Sequence, residues 1–499
     1  MSSKNSYRVV YGKYPEVTIE IPIDWGMDPF DAQNWRHNLV SLRWTNELAL
    51  PDKKKILEDF YNYHYVMRKR NTLINTRAGD HTTSFRLNIL RSLLIESKKS
   101  PAQFEGIAAL CYKLMMEDVE TLLSPEIYRR GHNHGLMADI AVLNAISELN
   151  ISELTPHLRP VAQRGLATLL DMYTENFITK EHSISYQEYN YPIAIEFVKL
   201  CEKLNVETDA HIAGRLTEAT RKILLFFTRK NGEFFPLGDS FRLPNKLIRT
   251  AHPELNPDKQ LLNKTGSNGF RVFCSDGFFA YIMQTSRSRI HFVATCSWHS
   301  AHHKQDDELS FCLELDGDLI FDDSGYTDFC SRSTANTLRE SSQHSAIRIK
   351  GRAFSPRSSS NGKSKIVHWK EDAHGFNLLA SHERIEGIQL QRSFTLARNH
   401  LELQDEIKFQ KEEISQQYSF HDFVLAPDVD ARIDGRVLHI TKQDRELGML
   451  ISQSHDGEWQ REEIAYIPTK RSELRTTKRY SYFAPACARR SFSFLYYPR

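Results

Sequence analysis

The hydrophobic period of this chain changes once, and that change restricts the fold more than any other feature. From about Asp31 to Phe227 apolar residues recur at helical spacing. Phe104, Ile107, Ala108, Cys111, Leu114 and Met115 share one face, Leu136, Ile140 and Leu143 a second, and Ile212, Leu216, Ile223 and Phe227 a third. Beyond Gly266 the period is two: Leu401, Leu403, Ile407 and Phe409 alternate with Glu402, Gln404, Glu406 and Lys408. Further strands are expected over 270–283, 290–296, 309–321, 345–349 and 418–425. Between the two regimes, NGEFFPLGDS and AHPELNPDKQ gather Gly and Pro and read as a linker. Helices first and strands second, without alternation, exclude a doubly wound α/β fold. The expected class is α+β multidomain, with a helical domain over 1–245, a linker over 246–265 and an antiparallel β-sheet, β-sandwich-like domain over 266–499.

Composition sets outer bounds. A chain of 499 residues is too long for one core, and 40% hydrophobic content fills two or three. Seven scattered cysteines without a CxxC pair argue against a disulfide framework or a zinc ribbon and suit a reducing interior. A net charge of +2 does not call for nucleic acid as the partner, although Arg129-Arg130 and the 470–479 stretch could meet a polyanion. The N-terminus lacks the apolar segment and cleavage site of a signal peptide, and no run approaches the roughly 20 apolar residues of a membrane helix. As written, the expected place is the cytoplasm, with the periplasm open and no membrane partner.

Chemistry-bearing side chains crowd at three places. In Arg129-Arg130-Gly131-His132-Asn133-His134-Gly135, just before a helical face, Asn133 can be a helix cap beside solvated histidines, or the whole can be an anion site at a helix N-terminus. Glu181-His182-Ser183-Ile184-Ser185-Tyr186-Gln187-Glu188-Tyr189-Asn190 reads as an irregular turn whose tyrosines either pack with wet hydroxyls or exchange protons with a neighbour. The third place is HHKQDDELSF, 302–311, at the entrance of an alternating strand, followed by Asp322-Asp323-Ser324-Gly325-Tyr326 and Ser342-Gln343-His344. Its plain reading is a hydrated acidic strand entrance; a His, an Asp and a later His are also what a metal site uses.

Taken in order, these elements resemble the heparinase II/III-like family of polysaccharide lyases, whose relatives include alginate lyases and dermatan sulfate epimerase. The matching elements are Asn133-His134, then Glu181-His182-Ser183-Ile184-Ser185-Tyr186. After the switch to strands come His303-Lys304-Gln305-Asp306-Asp307-Glu308-Leu309-Ser310-Phe311, Asp323-Ser324-Gly325 and His344, so the resemblance covers residues 129–344. It implies an incomplete α/α toroid followed by an antiparallel β-sheet domain, and β-elimination on a uronate-containing anionic glycan. By that resemblance Asn133 and His134 neutralise the uronate carboxylate, and Tyr186 and His303 share the base and acid roles. Arg129, Arg130 and Tyr326 are expected to contact the substrate. His303 is preferred to His302 because it keeps the spacing to Asp307, Leu309 and Ser310, and Asp307 and Glu308 either orient it or are solvated.

The departures carry expectations too. Metal-containing relatives place a second His where this chain has Gln305, and join it to the Asp of the turn and the later His around a zinc ion. Glutamine is a poor zinc donor. Gln305, Asp323 and His344 are therefore expected to form a hydrogen-bonded cluster, with zinc the alternative and no cofactor required. Reprotonation at C5 instead of loss of O4 would make a uronyl C5-epimerase, and a glycan-binding or assembly protein without catalysis is the reading from another class.

Overall fold

The computed structural model describes residues 6–66, 79–242, 246–256, 274–284, 288–327, 329–372, 375–397, 400–410, 417–469, 473–486 and 489–497. Expected strand residues 270–273, linker residues 257–265, Cys487 and residues 470–472 of the basic stretch lie outside them. Contacts divide the chain into two compact units. Unit 1 is Met1–Tyr173, Asn190–Ala213 and Phe329–Arg332; unit 2 is Thr174–Tyr189, Gly214–Asp328 and Ser333–Arg499.

Unit 1 opens with an antiparallel pair, β1 (Ser6–Val9) and β2 (Val17–Glu20), and is otherwise helical. Its helices include α1 (Gln33–Val40), α2 (Leu50–Tyr61), α3 (Gly79–Lys99), α4 (Ala108–Leu123), α5 (Asn133–Leu149) and α6 (Leu158–Met172). α3 packs on α4 and α5, and α5 on α6. The faces read from the sequence are the buried ones: Cys111, Leu114 and Met115 on α4, and Leu136, Ile140 and Leu143 on α5, are all in the core. Each such side chain contributes roughly 1.5–3 kcal/mol. A buried ion pair, Arg86 Nη2 to Asp118 Oδ1 at 2.5 Å, joins α3 to α4. Beyond α6, α7 (Ile184–Lys203) and α8 (Ile212–Phe226) complete the main helices.

Unit 2 is built on antiparallel sheets. β3 (Phe278–Gln284), β4 (Arg289–Thr295), β5 (Ser310–Leu315) and β6 (Asp318–Phe321) form one sheet in chain order. The remaining strands are β7 (Ile347–Ile349), β8 (Ser364–Asp372), β9 (Gly375–Ile385), β10 (Ile388–Ala397), β11 (His400–Phe409), β12 (Tyr418–Val424), β13 (Asp430–Asp434), β14 (Val437–Lys442), β15 (Arg445–Ser452), β16 (Glu458–Tyr466), β17 (Arg475–Pro485) and β18 (Arg489–Tyr496). They make an eight-stranded sheet, β13-β14-β15-β18-β11-β10-β9-β8, and a four-stranded one, β16-β17-β12-β7. Phenylalanines carry the contact between sheets. Phe292 and Phe311 of the first lie 5.1 and 5.3 Å from Phe394 of the second, and Phe321 lies 5.0 Å from Phe494. Such pairs add roughly 0.5–1.5 kcal/mol beyond their burial.

Three expectations change. The run 309–321 is a hairpin: Asp316 and Gly317, at φ 55° and 95°, make the tight turn between β5 and β6. An Asp-Gly pair favours that turn because both central residues need positive φ. β5 is also buried on both faces, including Glu314, which pairs with Arg229 and Arg289 at 3.1 Å each. NGEFFPLGDS is core and not linker: Thr228 bridges Phe234, and Phe234, Phe235, Leu237, Asp239 and Ser240 are fully buried. Contact and period therefore divide the chain at different places. Residues after 214 join the strands because Phe227 packs edge-on against Phe278 at 5.9 Å and Phe235 against His291 at 4.8 Å. Among the described residues no helix is long and apolar enough to cross a membrane.

Candidate active site

In unit 2 the site is assembled by three segments that the sequence keeps far apart. The loop between β4 and β5 carries His303, whose backbone sits at φ +53°. A non-glycine residue in that region is strained and is held there by its surroundings. Here the surroundings are two buried carboxylates: His303 Nδ1 lies 3.0 Å from Asp239 Oδ2, and Nε2 lies 3.4 Å from Glu181 Oε2. The imidazole stacks on the Tyr186 ring with centroids 3.6 Å apart and planes 24° from parallel. At 22% exposure the His303 side chain remains accessible to a ligand.

Tyr186 lies on the first turn of α7, so the segment read as an irregular turn is a helix start. The Ile184 N–H donates to Ser240 Oγ at 2.9 Å and the Tyr186 N–H to Ser183 Oγ at 3.3 Å, which satisfies first-turn amides. His182 fixes the loop above. Its Nε2 accepts the His299 N–H at 2.8 Å, its Nδ1 donates to the His302 carbonyl at 3.3 Å, and burial holds it neutral, well below the usual imidazole range.

Asp239 is the hub. Its Oδ1 accepts from Gln305 Nε2 at 2.8 Å and Arg339 Nε at 3.1 Å, and its Oδ2 from Arg339 Nη2 at 2.5 Å, besides His303. Burial raises its pKa, but Arg339 and then His303 outweigh this and hold the carboxylate well below its ordinary range. Gly238, at φ +62°, places it: a Cβ there would fall 2.1 Å from the His182 carbonyl oxygen. Tyr326 is buried at 5% exposure, and its hydroxyl accepts from Arg339 Nη2 at 2.5 Å.

The acidic run after His303 has other partners. Lys304, fully buried, donates to Asp307 Oδ1 at 2.5 Å and lies 3.2 Å from Glu308 Oε1. Glu308 in turn accepts from Arg384 at 2.9 Å, and Asp306 from Arg384 at 2.8 Å. Asp307 and Glu308 thus neither orient His303 nor face water; they brace the base of the loop.

Asp323, His344 and Gln305 split between two clusters. Asp323 Oδ2 accepts from His344 Nδ1 at 2.8 Å and Oδ1 from the Gly325 N–H at 3.2 Å, whereas the Gln305 amide belongs to Asp239. The atoms left buried without a hydrogen bond are His344 Nε2 and Gln305 Oε1. One imidazole nitrogen and one neutral amide oxygen, beside a carboxylate already engaged by its histidine, do not fit zinc.

In unit 1 the Arg129–His134 stretch is anchored by a cap that the sequence reading assigned to another residue. His132 is the N-cap of α5, its Nδ1 accepting the His134 N–H at 3.1 Å, and Asn133 is the first helical residue. Asn133 is 2% exposed; its amide donates to Asn190 Oδ1 at 2.9 Å, and its Oδ1 is buried without a hydrogen bond. His134 stacks on His81 at 4.3 Å and lies 3.3 Å from Asp80 Oδ1. Arg129 Nε lies 3.3 Å from the other oxygen of Asp80, while Arg130 points outward and pairs with exposed Asp171 at 2.6 Å. Burial and then His134 lower the pKa of His81. The sequence reading missed Asp80, His81 and the pairing of Asn190 with Asn133 here, and Asp239 and Arg339 in unit 2. Asp239 had a visible signal, a polar group after the buried run FFPLG, but the Gly and Pro around it read as linker.

Comparison with known proteins bears on the fold. Residues 267–490 match the family model described as heparinase II/III-like, C-terminal. A crystal structure of a heparinase III superposes with a TM-score of 0.75 at 15% identity, covering 95% of this chain and 79% of that one. A mutant of the heparan sulfate lyase HepC from Pedobacter heparinus gives 0.63 at 14% identity over 99% of this chain and 81% of that one. A second heparinase III, with methylated lysines, gives 0.66 at 13% identity over 99% and 82%. No curated protein matches the sequence. Residues 267–490 are thus similar to the heparinase II/III-like C-terminal family, and the chain has the fold of heparinase III, helices of an α/α toroid followed by antiparallel sheets.

Proposed function

We propose that the protein is a polysaccharide lyase that cleaves a uronate-containing, glycosaminoglycan-like chain by β-elimination. The observation that carries this reading is the Tyr186–His303 pair, stacked at 3.6 Å with the imidazole flanked by Asp239 and Glu181. Two groups able to exchange protons, held face to face on separate segments, are what elimination across C4 and C5 needs.

The C5 proton of a uronate is too weakly acidic to leave while the adjacent carboxylate keeps its charge. Asn133 and His134 donate to that carboxylate and hold the enolate-like intermediate. The base then takes the C5 proton, the electron pair forms the C4–C5 double bond, and the C4–O4 bond breaks as the acid protonates O4. Tyr186 and His303 divide these roles according to which face of the ring carries the C5 proton, glucuronate and iduronate presenting opposite faces. Each proton transfer contributes a factor of about 10²–10⁴. Arg339, whose charge interacts with the Tyr186 phenol as well as with Asp239, supplies positive charge beside the tyrosine. Arg129 and Arg130 are the proposed contacts for substrate carboxylates or sulfates. No step passes through a metal.

The test is ultraviolet absorbance during incubation with heparosan, heparan sulfate, chondroitin, hyaluronan and alginate. A rise with the native protein, lost in Tyr186→Phe, is the expected result and identifies the glycan. No rise on any of the five overturns the reading, and deuterium uptake at C5 from heavy water would then mark an epimerase.

A further inference from the structure

We infer that Asp239 is the positioning residue of His303, fixing which ring nitrogen carries the proton and leaving Nε2 as the working atom. The role in turnover rests on the lyase reading; the proton assignment does not. Two carboxylates compete for the imidazole, Asp239 at 3.0 Å from Nδ1 and Glu181 at 3.4 Å from Nε2. A carboxylate can only accept, so whichever dominates keeps a hydrogen on the nitrogen it faces. Asp239 is the nearer, and its contact with Nδ1 is a hydrogen bond, whereas the Glu181 contact is only a charge approach.

The carboxylate is itself immobile. Four donor contacts fill its two oxygens, Gln305 and Arg339 Nε on one and His303 and Arg339 Nη2 on the other. Tyr326 holds Arg339 from the far side, its hydroxyl 2.5 Å from Nη2 and its ring 4.4 Å from the guanidinium carbon. Gly238 leaves the backbone before Asp239 no room for a side chain. The Gln305 amide is committed to this carboxylate at 2.8 Å. The strained φ of His303 is what directs its ring between Asp239 and Tyr186. With Nδ1–H fixed, the neutral ring has a bare Nε2 that accepts a proton and, once charged, returns it. The opposite tautomer would present N–H there and could not act as base.

The experiment is ¹⁵N NMR of the full chain labelled in histidine, with the His303 resonances identified by their loss in His303→Gln. In the native protein, at a pH where the ring is neutral, Nδ1 is expected to be protonated and Nε2 bare. In Asp239→Asn the Glu181 carboxyl is the one acidic group left beside the ring among the described contacts, so the proton is expected to move to Nε2, and kcat to fall on the order of 10²–10⁴-fold with KM nearly unchanged. A bare Nδ1 in the native protein overturns the proposal whether or not the variant folds. Native-like ring shifts and turnover in a folded Asp239→Asn overturn it as well. If the native protein turns over no glycan, the lyase reading fails while the ring shifts still decide the role of Asp239.

Discussion

Each unit contains a buried aspartate that faces a histidine and an arginine, and the two differ in slack. In unit 2, Asp239 has both oxygens saturated, contacts of 2.5–3.1 Å, and a histidine on a strained backbone. In unit 1, Asp80 Oδ1 accepts the His81 N–H at 2.8 Å, but the side chains of His134 and Arg129 each stand 3.3 Å from the carboxylate, and its Oδ2 makes no aligned hydrogen bond. Its partners keep 20% and 30% of their side chains exposed. A saturated carboxylate fixes geometry before a ligand arrives, which suits proton transfer. A loosely held histidine and arginine can turn from Asp80 to an incoming carboxylate, which suits binding and neutralising it. On the proposed reading the same three residue types serve two purposes, according to how firmly their aspartate is held.

Kinetics should separate the two clusters. His303→Ala is expected to lower kcat by about 10²–10⁴ with little change in KM, because on the proposed reading the lost group acts in the proton transfers. His134→Ala, which leaves the enolate-like intermediate one donor short, is expected to lower kcat by about tenfold, whereas Arg129→Ala should mainly raise KM, by roughly tenfold at low salt, since exposed charge contacts are screened at higher ionic strength. Steady-state kinetics on the responding glycan at two salt concentrations checks both. A kcat loss in His134→Ala or Arg129→Ala as large as in His303→Ala would break the comparison.

How much of this could be read from the sequence depends on the range of the signal. The helical faces of α4 and α5 and the alternation of β11 were legible because burial imposes a period on neighbouring residues. Tyr186 and His303 were found through motif order, and they do meet. What escaped are partners set by chain crossings alone. Asp239 lies 64 residues from His303 and Asp80 lies 54 from His134, and no local pattern links either pair. The acidic run after His303 misled for a related reason: Lys304 and Arg384 neutralise it inside the protein, so charge that reads as hydration is a buried network.

Acid offers a second, smaller contrast. Burial, and then His134, push His37 of unit 1 down to about 3; burial, against the pull of Glu308, pushes His382 of unit 2 down to about 4. Below its unfolded value of 6.5 each imidazole takes a proton in the unfolded chain but not in the folded one, so stability falls as pH drops and is fully present only above 6.5. For fully buried His382 the window runs from 6.5 to about 4 and is worth about 3 kcal/mol. Its Nδ1 accepts the Arg384 N–H at 3.3 Å, a contact that needs the neutral ring. His382→Gln should flatten the fall of Tm between pH 6.5 and 4 relative to the native protein. An unchanged slope would assign the acid sensitivity to the unit 1 histidines.

The smallest effect is expected where neighbouring arginines diverge. Arg129 faces Asp80, which is 1% exposed, but Arg130 and its partner Asp171 are 69% and 45% exposed. An ion pair in water contributes about 0–1 kcal/mol, because solvent screens the attraction and two flexible side chains must be ordered to make it. Arg130→Ala should therefore leave Tm nearly unchanged. If Arg130 touches the glycan from this open position, the variant should raise KM by no more than about threefold at low salt, and the difference should vanish near 1 M salt, where screening acts within about 3 Å. Arg129→Ala should keep part of its defect at that salt, since removing its guanidinium also leaves a buried carboxylate short of a donor. Equal, salt-independent losses in the two variants would mean that both arginines bind in a desolvated setting, and that the slack seen around Asp80 is not what distinguishes binding from catalysis.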